Sequence, residues 1–566
     1  MDSEWFSSAV VYQIYPRSFA DADGDGVGDL RGIIDHLDHV QALGADVIWL
    51  SPVYRSPMDD NGYDISDYQD IDPSFGTLAD IDELIAGLHA RGMKLVMDLV
   101  VNHTSDEHPW FEAARDKASE KRDWYLWGPP RPGVEPGTPG AEPTNWGSFF
   151  GGPAWKYDEA SGEYFLHLFS AKQPDLNWEN PEVRQAVYAM MRWWVDRGVD
   201  GFRMDVINLI SKTYPLADGP VEAGQSLSFD VDRVANGPRM IEFIEEMNAA
   251  VGLSDKHLFT VGEMVNVDFA RAREYTSQNH SRLGMVFTFE HMSLDVEPGV
   301  DKFALRKLHL PDLKKNLAAW QEGLADEGWN SLYWDNHDQP RAVSRFGDES
   351  PEFRAASAKT LATVLHLHKG TPYVYQGEEL GMTNAHFTSI DDYRDIEALN
   401  YHREATGAGA PEASVLAGLA FKSRDNARTP MCWSAAPQAG FTTGEPWIKV
   451  NDNFREINAA SQVHDPDSVF AHYAKLIELR HANAVVRDGR FELLLPEDER
   501  VWVFTRTLGD DQLLVVANMT SHVVGVPMAE LPDLSGARLV LTNLPEAADD
   551  VQTLHPWESR IYALKA

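Results

Sequence analysis

The chain reads as an α/β protein built on a (β/α)8 barrel of the TIM type, with a subdomain inserted after the third strand and an all-β domain at the C-terminus. Three observations predict this. Eight apolar, β-compatible stretches alternate with helical segments, the pattern of parallel strands joined by right-handed crossovers. The alternation breaks once, over residues 104–175, in a stretch rich in Pro, Gly and Trp that is too long for a loop. From about Val485 onward the text turns to short alternating strands such as VWVFTRT, QLLVVANMT and RIYAL. The domains expected are therefore a barrel over 1–103 and 176–484, the insert over 104–175, and a C-terminal β-sandwich over 485–566.

In order, AVVYQIYP (Ala9 to Pro16) is the first strand, and Leu30, Ile33, Ile34, Leu37, Val40 and Leu43 carry the spacing of one helix. DVIWLSP from Asp46 is the second strand, and the helix from Leu78 is closed by Arg91-Gly92. KLVMDLVV from Lys94 is the third. After the insert, Asn180 caps a helix that Pro181 opens. Strands centred near Phe202, Phe259, Val286, Leu332 and Val374 complete the eight, with helices around 239–250, 269–275, 313–324 and 353–366 between them. A last helix over 472–481 leads into the β-module.

At 566 residues, with 43% hydrophobic and 11% aromatic residues, the chain can build a large core over several domains. Lys+Arg 49 against Asp+Glu 88 leaves a net charge of −39. That sign excludes nucleic acid and anionic membrane as expected partners, because both select clustered positive charge. Cys432 is the one cysteine, so no internal disulfide forms. Met1-Asp2-Ser3-Glu4-Trp5 lacks the features of a leader, and no apolar run is long enough to span a bilayer. The expectation is a cytoplasmic protein.

Polar residues gather at the carboxyl ends of the predicted strands, where barrels of this kind do chemistry. The third strand holds Asp98, followed by Asn102 and His103; the fourth runs Gly201-Phe202-Arg203-Met204-Asp205-Val206; the fifth ends at Glu263; the seventh is followed by Asn336-His337-Asp338. Packing does not explain three acids at equivalent strand ends, since buried carboxylates are costly unless paired or used.

These motifs resemble the four signature regions of the α-amylase superfamily, glycoside hydrolase family 13. Gln173-Pro174-Asp175-Leu176-Asn177, Gly62-Tyr63-Asp64 and Arg424-Asp425-Asn426-Ala427-Arg428 are similar to motifs of its α-glucosidase and oligo-1,6-glucosidase branch. The resemblance implies a retaining glycosidase with Asp205 as nucleophile, Glu263 as acid/base and Asp338 as the third carboxylate. Retention uses two carboxyls about 5–5.5 Å apart. Arg203, two residues from Asp205, is expected to favour its ionised form, and desolvation near Val261 and Met264 to raise Glu263.

The resemblance further implies that His103 and His337 bind sugar hydroxyls, that Gln173 is among the substrate-binding residues, that Asp60 and Tyr63 close the far end of the −1 subsite, and that an arginine joins them. Arg428 is preferred to Arg424, though spacing does not decide between them. Phe150 and Phe169 are expected to narrow the entrance, with Phe149 a core partner. Val206, after the nucleophile, implies tolerance of α-1,6 links. The loop Asp21, Asp23, Asp25, Val27, Asp29 suits Ca²⁺, with Mg²⁺ as the alternative; its twelfth position is Gly32, so it is no EF-hand. Short α-glucosides are the expected partners. A sucrose or trehalose isomerase is the alternative, lowered by the missing Arg-Leu-Asp-Arg motif, and a non-enzymatic binding module or an endo-acting amylase fits less well.

Overall fold

Eight parallel strands form one sheet: β1 (Val11–Ile14), β2 (Val47–Leu50), β3 (Lys94–Val100), β4 (Gly201–Asp205), β5 (Phe259–Glu263), β6 (Met285–Phe287), β7 (Ser331–Leu332) and β8 (Thr371–Tyr375). Their order across the sheet is β6-β5-β4-β3-β2-β1-β8-β7, and a parallel bridge from Val286 to Asn330 joins the two ends. The sheet is a barrel, as the eight alternating stretches predict. The computed structural model describes residues 5–221, 224–276, 282–297, 301–545 and 552–564. Residues 1–4, on which the expectation of no leader rests, and residues 222–223 of the long loop after β4 lie outside these. Among the described residues, no helix is long and apolar enough to cross a membrane.

The strands are buried on both faces, which is why they read as continuous apolar runs rather than alternating ones. Gly201 has a packing reason: a Cβ there would stand 2.1 Å from the Phe259 carbonyl oxygen on β5. The helix expected over Leu30 to Leu43 is two helices, Leu30–Asp35 and Leu37–Leu43. His36 divides them because its ring Nδ1 takes the Gly32 carbonyl at 2.8 Å, the acceptor an unbroken helix would give to the His36 backbone N–H.

The insert holds a three-stranded antiparallel sheet of Trp127–Gly128, Glu163–Leu166 and Trp155–Asp158. Its two ends are pinned together where it leaves and rejoins the barrel, by antiparallel bridges His103 to Asp175 and Tyr125 to Leu176. At the C-terminus, Arg490–Leu494, Val501–Leu508, Asp511–Asn518, Ser559–Leu564 and Arg538–Thr542 form a five-stranded antiparallel sheet beside a short ribbon, Val524–Gly525 with Thr553–Leu554. Lys314, on the barrel helix Leu310–Gly323, is fully buried and donates to the carbonyls of Leu495 (2.6 Å), Asp498 (2.6 Å) and Val501 (3.0 Å).

Candidate active site

Strand register assembles the centre. β3 and β4 set Asp98 beside Arg203 and Val100 beside Asp205, and β5 sets Val261 beside Arg203. Alternate side chains share a face, so Asp98, Arg203 and Asp205 project together, and Glu263 lies two residues beyond Val261. Arg203 Nη1 donates to Asp98 and to Asp205, each at 2.7 Å, and its Nη2 donates to Glu263. One guanidinium thus holds three carboxyls and brings Asp205 and Glu263 side by side. Asp98 also accepts from Trp49 Nε1 and Tyr63 Oη, each at 3.0 Å.

Burial raises Asp205 well above the usual carboxylate range, against the pull of Arg203 and with Glu263 and Asp98 adding to the rise. The Arg203 charge favours the ionised form of Asp205, as expected, but the guanidinium is shared three ways and desolvation outweighs it. Burial raises Glu263 too, with Arg203 opposing and Asp338 assisting. Both carboxyls are raised together, so a proton on the pair is held more tightly than on a free carboxyl. Because a raised acid keeps its proton to higher pH, the singly protonated form should persist well above the value of about 4 typical of free carboxyls. The kcat/KM profile is expected to fall on the alkaline side as that proton leaves, and Glu263→Gln should remove this limb. A profile whose alkaline limb survives that substitution would contradict the assignment.

A second cluster closes the opposite wall. Arg424 donates to Asp338 and to Asp60, each at 3.3 Å, and to both oxygens of buried Asp395. Arg428 donates to Asp338 (2.7 Å) and the His337 carbonyl (3.1 Å). Both arginines line the site, and the contact with Asp60 belongs to Arg424 rather than to the preferred Arg428. Burial pushes Asp338 up, yet His337, Arg424 and Arg428 outweigh it and hold it well below the usual range. Asp60 is raised by burial to about 7, against Arg424 and Arg428.

His337 takes a hydrogen bond from Gln13 Nε2 on Nδ1 (2.8 Å), which leaves its Nε2 as the N–H donor, 3.2 Å from Asp338. Burial lowers its pKa to about 3, so the ring is neutral, and the Tyr63 ring stacks against it at 5.2 Å. His103, lowered by burial to about 4, donates from Nε2 to the Tyr63 carbonyl at 3.1 Å. Gln173 Nε2 reaches Asp60 at 3.1 Å. Phe150 and Phe169 meet edge to face at 5.5 Å, with the Arg424 guanidinium over the Phe150 ring and His103 beside Phe169. Phe149 is not a core partner: it is 37% exposed and packs on the outside of Phe169.

Val206 has φ 36° and ψ 39°, a left-handed conformation that a β-branched side chain adopts only under constraint. Its N–H points at Glu263, 3.3 Å away. Its side chain packs among insert residues that include Leu126 and Trp146. Away from this centre, oxygens of Asp21, Asp23 and Asp29 lie within 4.8 Å of one another. Asp25 stands outside that group, accepting from the Val27 N–H at 2.8 Å.

Sequence reasoning missed two residues. Asp395, 29 and 33 positions before the arginines it holds, gives no local signal. Asn208 gives one: it is a buried amide in an apolar run three residues after Asp205. Its side chain clamps Val265 by both backbone groups, donating to the carbonyl at 2.6 Å and accepting from the N–H at 3.2 Å. The segment after Asp205 is thereby tied to the segment after Glu263.

Residues 13–489 match the family described as Alpha amylase, catalytic domain. An oligo-1,6-glucosidase of Parageobacillus thermoglucosidasius is 52% identical over 573 residues, covering 100% of both chains. A trehalose-6-phosphate hydrolase of Bacillus subtilis (strain 168) is 48% identical, over 99% of this chain and 98% of that one. Among solved structures, an isomaltulose synthase mutant from Erwinia rhapontici NX5, in complex with its natural substrate sucrose, superposes with a TM-score of 0.93 at 39% identity, covering 100% of each chain.

Proposed function

The chain belongs to the α-amylase family of glycoside hydrolases, and from that membership and the pocket's geometry we infer a retaining, exo-acting α-glucosidase for short neutral α-glucosides. The observation that carries the reading is the single Arg203 guanidinium bonded to both Asp205 and Glu263, facing a wall closed by Asp60, Arg424 and Asp338. Asp205 attacks the anomeric carbon as the glycosidic C–O bond breaks, and Glu263 gives its proton to the departing oxygen. Water, deprotonated by Glu263, then releases glucose from the ester. Asp338 binds hydroxyls and offsets the positive charge that develops on the ring. A sugar hydroxyl in place of water would transfer the glucosyl unit, which is transglucosylation.

Charge argues against a phosphorylated substrate. The pocket combines Asp60, Asp98, Asp205, Glu263, Asp338 and Asp395 with Arg203, Arg424 and Arg428, and each guanidinium is already paired. A phosphate dianion would meet net negative charge with its natural partners occupied. Incubation with maltose, isomaltose, sucrose, trehalose, trehalose 6-phosphate and soluble starch tests the reading. Glucose should come from the short neutral substrates at least ~100-fold faster than from the phosphorylated one, with starch untouched; a rearranged disaccharide from sucrose would favour the isomerase. Val206→Thr should lower the isomaltose-to-maltose ratio severalfold, and an unchanged ratio would refute a specificity role for that position.

A metal at the Asp21 loop supports the fold in this reading. Three carboxylates converge there without an ion-pair partner among the described residues, a donor set of hard oxygens that suits Ca²⁺ or Mg²⁺. Asp29 also caps the helix Leu30–Asp35 through Gly32 N–H, so an ion held by it would brace the first crossover. A chelator should lower Tm by several degrees, and Asp23→Ala should abolish that response; a chelator-indifferent Tm would refute the site. Cys432, the single cysteine, is buried, which suits a reducing compartment, and we place the enzyme in the cytoplasm.

A further inference from the structure

The two aromatic rings at the entrance have a second side. Phe150 and Phe169 also line a cavity of about 460 Å³ between the insert and the helix Ile396–Gly407. That volume is in the range of small-ligand pockets. None of the catalytic carboxyls reaches it. Its far wall is the insert sheet, with the rings of Trp155, Tyr157 and Tyr164.

The polar groups in this wall suit hydroxyls rather than ions. His167 is only 5% exposed, and its Nδ1 faces the Phe169 carbonyl at 3.0 Å. A carbonyl only accepts, so Nδ1 carries the hydrogen and Nε2 is left as a bare acceptor. Nε2 has no hydrogen-bond partner among the described residues and is not sealed from solvent. The Tyr157 ring is half-buried against Tyr164, centroids 5.1 Å apart, and its hydroxyl is likewise without a partner among the described residues. Glu142 and Lys156, of opposite sign, both touch the cavity, so no net charge selects an ion. Apolar ring faces, an acceptor nitrogen, a phenol and balanced charge are the features that hold a pyranose, which shows C–H faces to rings and hydroxyls to polar atoms.

We propose that this cavity is a second saccharide site, taking a neutral glucoside of one or two units on the outer side of the Phe150–Phe169 wall. Occupancy presses on rings that also touch Arg424 and His103, so a bound sugar adjusts the aperture of the catalytic pocket. The Asn400 side chain braces that wall, donating to the Phe150 carbonyl at 3.2 Å.

The inference rests on the glucosidase reading, and calorimetric titration of the Asp205→Asn protein with isomaltose separates the two. Two sites per chain are expected, of which an iminosugar glucose mimic displaces only the one in the catalytic pocket. Tyr157→Ala in the same background should weaken the remaining site at least tenfold and leave iminosugar binding within twofold. Tyr157→Phe, which keeps the ring and its packing, and His167→Gln should each weaken it severalfold. A single isomaltose site in the Asp205→Asn protein, or two sites indifferent to all three substitutions, overturns the proposal. Absence of both isomaltose and iminosugar binding overturns the underlying reading as well.

Discussion

Asp205→Asn is expected to fold normally and to lose at least about 10⁴-fold in kcat, the scale of removing a group that forms the covalent intermediate. The substitution preserves size and one hydrogen-bond acceptor for Arg203, so thermal unfolding should be little changed. The smaller Asp205→Ala provides the sharper experiment. It vacates the space beside the anomeric carbon, and added azide can attack there while Glu263 still protonates the leaving oxygen. The C–O bond breaks, a C–N bond forms on the opposite face, and the product is a β-glucosyl azide. Turnover within tenfold of the parent by either variant would show that Asp205 is not the nucleophile.

Arg203→Leu is expected to cost about 3–5 kcal/mol of stability, the penalty for leaving buried charges without their partner, and to abolish detectable hydrolysis. The effect is large because Asp98, Asp205 and Glu263 all bond this one guanidinium. Without it they would hold extra protons, and Asp205 would no longer be a nucleophile at neutral pH. Arg203→Lys should recover little, since a single ammonium cannot span three carboxyls arranged around a planar fork. Chemical denaturation and a pH-resolved activity series read both effects. A loss below about 1 kcal/mol would mean that the three carboxyls are satisfied elsewhere.

The barrel is legible in the sequence because hydrophobic periodicity and the order of strands and helices are local, and eight repetitions leave little room for another topology. The convergence of Asp205, Glu263 and Asp338 is legible for the same reason: each stands at a strand end, and strand ends of a parallel barrel share a rim. What sequence leaves open is decided by contacts that no local pattern encodes. Arg424 rather than Arg428 reaches Asp60 because Asp395, fixed at the start of the helix Ile396–Gly407, holds its guanidinium. Phe149 and Phe150 are adjacent and chemically identical, and only the turn of the insert decides that Phe150 faces Arg424. The net rise of Asp205 is not legible in the sequence, because the neighbouring arginine is visible there while burial and the two competing carboxyls are not. The break at His36 depends on a side chain capturing a carbonyl, which periodicity does not register.

The bridge between His103 and Asp175 gives the detour of seventy-odd residues a common doorway. Whatever is built beyond it, the third and fourth staves of the cask stay where they were, together with the acid and guanidinium they carry. The outer part of the insert can thus be recut as though changing a nozzle, so long as the pieces that lean on the furnace are kept: Gln173 on Asp60, and Leu126 and Trp146 on Val206.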